Sequence, residues 1–164
     1  MVSAEQLKQT MSKWAASVTL VTTLDNQRIH AMTATSFTSV SLDPPLILVC
    51  VGKRKRTHGI LLAQGKFGVV FLAAEQSRLS DLAAGFEGPE GNFLPGVDWE
   101  MCSGVPVVRN CVAWLSCSLH AAYDGGDHTI FVGKVEDTAV CRLEASPLVW
   151  YSRGYRRLQE LSEK

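Results

Sequence analysis

Between Cys111 and Ala121 the chain alternates with period two. Cys111, Ala113, Leu115, Cys117, Leu119 and Ala121 fall on one side, and Val112, Trp114, Ser116, Ser118 and His120 on the other. Successive side chains of a strand point to opposite faces, so this pattern predicts a long strand with one drier face. Asp124-Gly125-Gly126-Asp127 then supplies a hairpin signal, because glycine accepts positive φ at little cost, and Thr129–Val135 returns as the partner strand. A long hairpin needs further strands beside it, and the rest of the chain provides them.

Ser3 and Gln6 fit a capping box, and Leu7, Met11, Trp14 and Ala15 follow at helical spacing, which predicts an amphipathic helix to about residue 15. Val18–Thr23 is β-branched, Asp25-Asn26-Gln27 makes a turn, and Ile29–Ser36 reads as the returning strand. Pro44 and Pro45 forbid a helix and introduce the apolar strand Leu46–Val51. Thr57 is placed to cap a helix through about Ala63, Phe67–Leu72 is a strand, and Ser77–Ala84 is a helix stopped by Gly85. Phe86–Gly96, rich in glycine and proline, is expected to be an exposed loop.

So many strands need their edges closed. A closed or partly closed antiparallel barrel with peripheral helices meets that need, and the lack of regular βαβ alternation argues against a doubly wound sheet. At 164 residues the chain fits one domain, residues 1–164.

Charge excludes some functions. Sixteen basic residues balance sixteen acidic ones, so no global positive field exists to gather nucleic acid. No apolar run is long enough to span a bilayer, and the first residues lack a signal-peptide pattern, so a cytoplasmic location is expected, with no membrane partner. Five cysteines without CxxC spacing suggest neither a disulfide scaffold nor, with four scattered histidines, a metal site.

Candidate chemistry lies in four places. Met32–Val40 packs five hydroxyl residues into nine positions, which suits either a Thr-rich strand or a set of donors for a phosphate or heterocycle. Lys53-Arg54-Lys55-Arg56 is either a solvated turn or an anion site ahead of a helix N-terminus. His128, after the glycine pair, is a turn residue or a partner for a ligand's phosphate or ring. Pro147–Arg157 mixes aromatics with arginines, as a terminal strand or as a stacking wall. A P-loop, a dinucleotide-binding glycine fingerprint and a nucleophile elbow are all absent from the sequence.

Three segments taken together are more specific: Trp14–Thr23, His30–Phe37 and Ser39–Leu46, the last containing Ser41-Leu42-Asp43-Pro44-Pro45-Leu46. With Gly68–Leu72, Gly126-Asp127-His128 and Pro147–Tyr151, they make the chain resemble the flavin reductase-like family over nearly its whole length. Within that family the chain looks most like the short reductase components of two-component flavin-dependent monooxygenases. The resemblance implies a mainly β fold with peripheral α, an antiparallel Greek-key split β-barrel of the FMN-binding type, and a homodimer with flavin near the interface.

It also implies site residues. Thr33, Ala34, Thr35 and Ser36 would line the isoalloxazine and ribityl chain of FMN or FAD. Cys50, Val51, Gly52 and Lys53 would follow the flavin toward its phosphate, with Arg54 and Thr57 helping to neutralise it. Ala83, Ala84 and Phe93 would approach the flavin, while His128 and Tyr155 would serve NADH or NADPH. The implied activity is hydride transfer from nicotinamide to flavin, followed by release of reduced flavin to a monooxygenase. Two other readings compete. One is a non-catalytic flavin- or haem-binding split-barrel protein, and the other is a flavin enzyme acting on its own organic substrate.

Overall fold

The computed structural model describes residues 1–85, 94 and 96–159. The capping box forms as expected: the Gln6 N–H donates to Ser3 Oγ and the Ser3 N–H to Gln6 Oε1. The helix it starts, α1 (Ala4–Met11), ends earlier than its periodicity predicts, and none of its residues is buried. The chain extends there because β1 (Ala16–Ser17) is drawn into a small sheet.

Two long strands follow, β2 (Thr19–Asp25) and β3 (Arg28–Ala34), joined through Asn26 and Gln27 at φ 48° and 66°. Thr35 and Ser36 then lead into β4 (Phe37–Leu42), which the sequence reading did not identify as a strand. Next come β5 (Pro45–Gly52), α2 (Arg56–Gln64), β6 (Lys66–Phe71) and α3 (Ser77–Ala84). Gly65 and Gly85 stop the two helices in the left-handed region. The second half holds β7 (Trp99–Cys102), β8 (Val105–Val108), β9 (Ala113–Gly125), β10 (His128–Val140), β11 (Val149–Tyr151) and β12 (Gly154–Arg156). Most of the loop expected at Phe86–Gly96 lies outside the described residues.

Seven strands form one antiparallel sheet in the order β3-β2-β6-β9-β10-β5-β4. Its two end strands, β3 and β4, are separated in the chain only by Thr35 and Ser36. The sheet must therefore curl until its ends meet. One core cluster records that curl, drawing Val21 from β2, Met32 and Ala34 from β3, Val49 and Val51 from β5, Phe67 and Val69 from β6, Cys117 from β9 and Phe131 from β10. Phe37 of β4 packs on it. A cluster fed by every strand of one sheet is the inside of a barrel, left split at the β3–β4 seam.

A second cluster covers the outside. Leu79 and Ala83 of α3, Val105 and Val107 of β8, and Leu148 pack on Leu20, Val70 and Trp114. Gly68 lets β8 come close, since a Cβ there would meet Thr22 Oγ1 at 2.4 Å and Val105 at 3.1 Å. Thr22 Oγ1 in turn donates to the Pro106 carbonyl at 2.7 Å. This layer corrects the expectation of one drier face. In the first half of β9, Ala113, Trp114, Ser116 and Cys117 are all buried, because one face lines the barrel and the other lies under the covering layer.

Candidate functional site

The seam between β3 and β4 is also where polar side chains converge. Ser36 Oγ donates to the Cys50 carbonyl at 2.9 Å, and the Cys50 N–H returns to the Ser36 carbonyl at 3.2 Å. These bonds hold the β3–β4 link against β5. Beside them opens a cleft of about 730 Å³. One wall is the end of β3 and its link, from Met32 through Thr33, Ala34 and Thr35 to Ser36. The other is Cys50 and Gly52 of β5 with the basic turn Lys53-Arg54-Lys55, and the β9–β10 hairpin tip closes it with Asp127 and His128.

The sheet register puts the tip there. His128 lies opposite Gly52 in the β5–β10 pairing, and the Lys53 N–H donates to the Asp127 carbonyl at 3.0 Å. Gly52 lies directly against that ring: a Cβ added there would be in ordinary contact, 3.6 Å from His128 Nε2. His128 Nδ1 is 2.6 Å from Asp127 Oδ1, which fixes which ring nitrogen faces the cleft. That hydrogen bond, with the His128 charge, holds the Asp127 carboxyl below its ordinary range. Lys53 pairs with Asp124 on the same hairpin. Burial pushes the Cys50 thiol up, so it presents a neutral group to the cleft.

A second hollow of about 200 Å³ shares Thr33 and Thr35 with the cleft and is completed by Ser80, Ala84, Trp150 and Tyr155. Thr33 Oγ1 donates to the Ser80 carbonyl at 2.6 Å, tying β3 to α3. Tyr155 stacks edge-on against Trp150 with centroids 5.0 Å apart, and its hydroxyl donates to Asp81 at 2.5 Å. A third groove, about 670 Å³, runs past Met11, Trp14, Phe37 and Leu48 and meets the cleft at Thr35, Ser36 and Cys50.

Of the residues singled out by sequence, the cleft unites Thr33, Ala34, Thr35, Ser36, Cys50, Gly52, Lys53, Arg54 and His128. Val51 is not among them: strand alternation turns it inward, and it is fully buried in the barrel core. Thr57 neither caps α2 nor faces the cleft. Lys55 is the N-cap, with no side-chain bond, and buried Thr57 sits two positions after it with its hydroxyl against His30. Ala83 packs in the outer core, leaving Ala84 at the second hollow. Tyr155 shares that hollow with Ala84, apart from His128. Phe93 lies outside the described residues. The sequence reading missed Met32, Lys55 and Asp127 as lining residues, although two of them stand inside the basic run and the hairpin signal.

These features suit a flavin and a nicotinamide. The cleft is wide and open, carries three cations at one end where a phosphate would sit, and has hydroxyls and a histidine along its length. No group of three His, Cys, Asp or Glu side chains among the described residues is placed to hold a metal.

Comparison with known proteins bears on the family and the fold. Residues 11–159 match the family described as flavin reductase like domain. The chain is 42% identical over 133 residues to an NADH-dependent FAD reductase of Streptomyces globisporus, covering 79% of this chain and 72% of that one. It is 38% identical over 154 residues to the reductase component of a 4-hydroxyphenylacetate 3-monooxygenase of Thermus thermophilus, covering 94% and 96%. Among solved structures, an NADH:FAD oxidoreductase of Streptomyces globisporus in complex with NAD and FAD fragments superposes with a TM-score of 0.89 at 33% identity, covering 99% of each chain.

Proposed function

The chain belongs to the flavin reductase-like domain family, and we propose that residues 1–164 work as a single domain in the reductase half of a two-component monooxygenase. It is an NADH-dependent flavin reductase: it passes hydride from a nicotinamide to a flavin and supplies reduced flavin to the oxygenase. The observation that carries the reading is the junction of a cationic turn, a hydroxyl-lined strand end and His128 around one open cleft. When bound, the nicotinamide supplies the hydride and the flavin ring accepts it, so the protein needs no nucleophile of its own.

The chain's own residues bind and orient. Arg54 and Lys55, at the unguarded start of α2, attract the flavin phosphate, with Lys53 already braced by Asp124. Thr33 and Ser36 spend their hydroxyl protons on Ser80 and Cys50, so they meet a ligand as acceptors. Thr35 is exposed and keeps a free rotor at the seam. His128, held by Asp127, orients the nicotinamide dinucleotide across Gly52. Holding two rings at reacting distance is the main catalytic service required, and it removes most of the entropic barrier. An open cleft favours exchange of flavin between turnovers.

We further assign the chain to a homodimer. Leu7, Met11 and Trp14 stand 56%, 53% and 68% exposed beside the groove that meets the cleft, and a second copy would cover them. No described helix is long and apolar enough to cross a membrane, and the five cysteines are free thiols, which fits a cytoplasmic site of action.

The deciding experiment measures NADH and NADPH oxidation separately with FMN, FAD and riboflavin. Flavin-dependent loss of absorbance near 340 nm is expected. Well-folded protein that binds flavin yet leaves NADH untouched would favour the non-catalytic reading instead.

A further inference from the structure

Three of the five cysteines gather outside the cleft, at the end of the β9–β10 hairpin opposite its tip. Cys111 stands two residues before β9 and is 1% exposed, Cys141 immediately follows β10 on the surface, and their sulfurs are 3.8 Å apart. Cys102 ends β7 nearby and is half-buried. The backbone around the pair is pinned: the Cys141 and Arg142 N–H groups both donate to the Val112 carbonyl, at 2.8 and 3.2 Å. The Arg142 guanidinium joins Glu75 and, at 3.0 Å, the Asn110 carbonyl. Bringing two sulfurs from 3.8 Å to a disulfide length of about 2.05 Å needs a side-chain adjustment rather than a backbone rearrangement.

We propose that Cys111 and Cys141 are a peroxide-responsive dithiol, in which exposed Cys141 takes the oxidant and buried Cys111 closes a reversible disulfide. The two thiols differ in the required sense. Cys111 is buried out of reach of dissolved peroxide, and of the two only Cys141 is open to solvent. In the first step Cys141–SH and hydrogen peroxide give Cys141–SOH and water, with the peroxide O–O bond broken and the sulfur oxidised by two electrons. In the second, the Cys111 sulfur attacks that sulfenic sulfur. The S–O bond breaks, the S–S bond forms, and the Cys111 proton leaves with hydroxide as a second water.

The oxidant follows from the reaction already assigned, and its source rests on that reading. Reduced flavin released without a partner to use it reacts with dioxygen, returning oxidised flavin and hydrogen peroxide. The dithiol would therefore register uncoupled turnover. The pair lies outside the cleft: Ala34 of the cleft wall is three strand spacings, about 15 Å, from Ala113 beside the pair, through Thr19 and Phe71. Flavin reduction itself should proceed unchanged with the bridge open or closed.

The test uses the full chain, freshly reduced, in two arms: added hydrogen peroxide, and NADH with FMN in air, with and without catalase. Free thiols are then alkylated under denaturing conditions and peptides are read by mass spectrometry. In both arms the Cys111 and Cys141 peptides should emerge linked, 2 Da lighter than their sum, with catalase abolishing the link in the second. Cys141→Ser should lose the link and leave Cys111 fully alkylated, while Cys102→Ser should keep it. Linkage of Cys141 to Cys102, or full alkylation of both thiols after peroxide, would overturn the proposal. A link formed by added peroxide with no NADH consumed would sustain the dithiol and count against the reductase assignment alone. NADH consumed without a link, where added peroxide forms one, would overturn the claim that turnover is the source.

Discussion

Thr57 Oγ1 lies 2.7 Å from Nε2 of His30, and both residues are about 99% removed from solvent. The hydroxyl that the sequence offers to a phosphate is thus committed to a core imidazole, and the phosphate end of the cleft relies on the basic turn. Arg54→Ala should weaken FMN roughly 10- to 100-fold, since a charge-assisted contact contributes about 1.5–3 kcal/mol. Riboflavin, which has no phosphate, should lose much less. Thr57→Val should cost about 1–3 kcal/mol of stability by removing the partner of a buried ring nitrogen, without separating the two flavins. Equilibrium titrations and denaturation of both variants check the division.

His128 is expected to act on the other cofactor. His128→Ala should raise the Michaelis constant for NADH about tenfold while leaving FMN affinity within about twofold. Asp127→Asn should do the same more weakly, because it loosens the Nδ1 contact that orients the ring. Steady-state kinetics with a parallel flavin titration would expose a merely structural histidine, which would depress both affinities together.

Gly133 sits at a crowded point of the barrel interior. A Cβ there would stand 2.6 Å from Phe67 Cζ and 3.0 Å from the Cys117 Cβ, and Phe67 is fully buried. Gly133→Ala should destabilise the chain by about 1–3 kcal/mol through overpacking. A urea denaturation series reads that directly.

Acid should loosen the corner held by Glu75 and Arg142. The hydrogen bond from Arg142 holds the Glu75 carboxyl below its ordinary value of 4.5. The pair therefore contributes fully above that value, and the contribution is lost as pH falls through the lowered one. Glu75→Gln should lower the melting temperature slightly at neutral pH and match the parent chain near pH 3, so that its fall between about pH 5 and pH 3 is flatter.

The exposed apolar face of α1 gives a prediction about assembly. Met11→Glu with Trp14→Glu should yield a monomer by sedimentation, because losing an aromatic anchor at an interface centre typically costs about 2 kcal/mol or more. Flavin affinity should fall with it, since the groove those residues line meets the cleft at Thr35 and Ser36.

Much of this was legible in the sequence where local chemistry alone dictates structure. The Ser3–Gln6 box, the Asn26-Gln27 turn, the helix stop at Gly85 and the hairpin tip at Gly126 all depend on a few neighbouring residues. The β4 strand escaped notice because Phe37–Leu42 is an edge strand with mostly exposed hydroxyls and a bulge between Ser39 and Ser41, so it shows no clean alternation. Val51 was misdirected for the opposite reason. A fully apolar run hides which residues face inward until the barrel supplies an inside. Thr57 was misplaced because its partner, His30, comes from a strand on the far side of the sheet order.

The split seam also sets when the site can exist. Val51 pairs with Thr129 and Leu46 with Lys134, contacts that span half the chain, and such non-local pairings are slow to form. The walls of the cleft come from strands at both ends of the sheet, so no partly folded fragment contains it. Flavin is accordingly a ligand of the finished barrel alone. At a hundredfold excess over its dissociation constant it would deepen the native well by about 2.7 kcal/mol. The cell's flavin pool and the lifetime of this protein are therefore coupled through a single folding equilibrium.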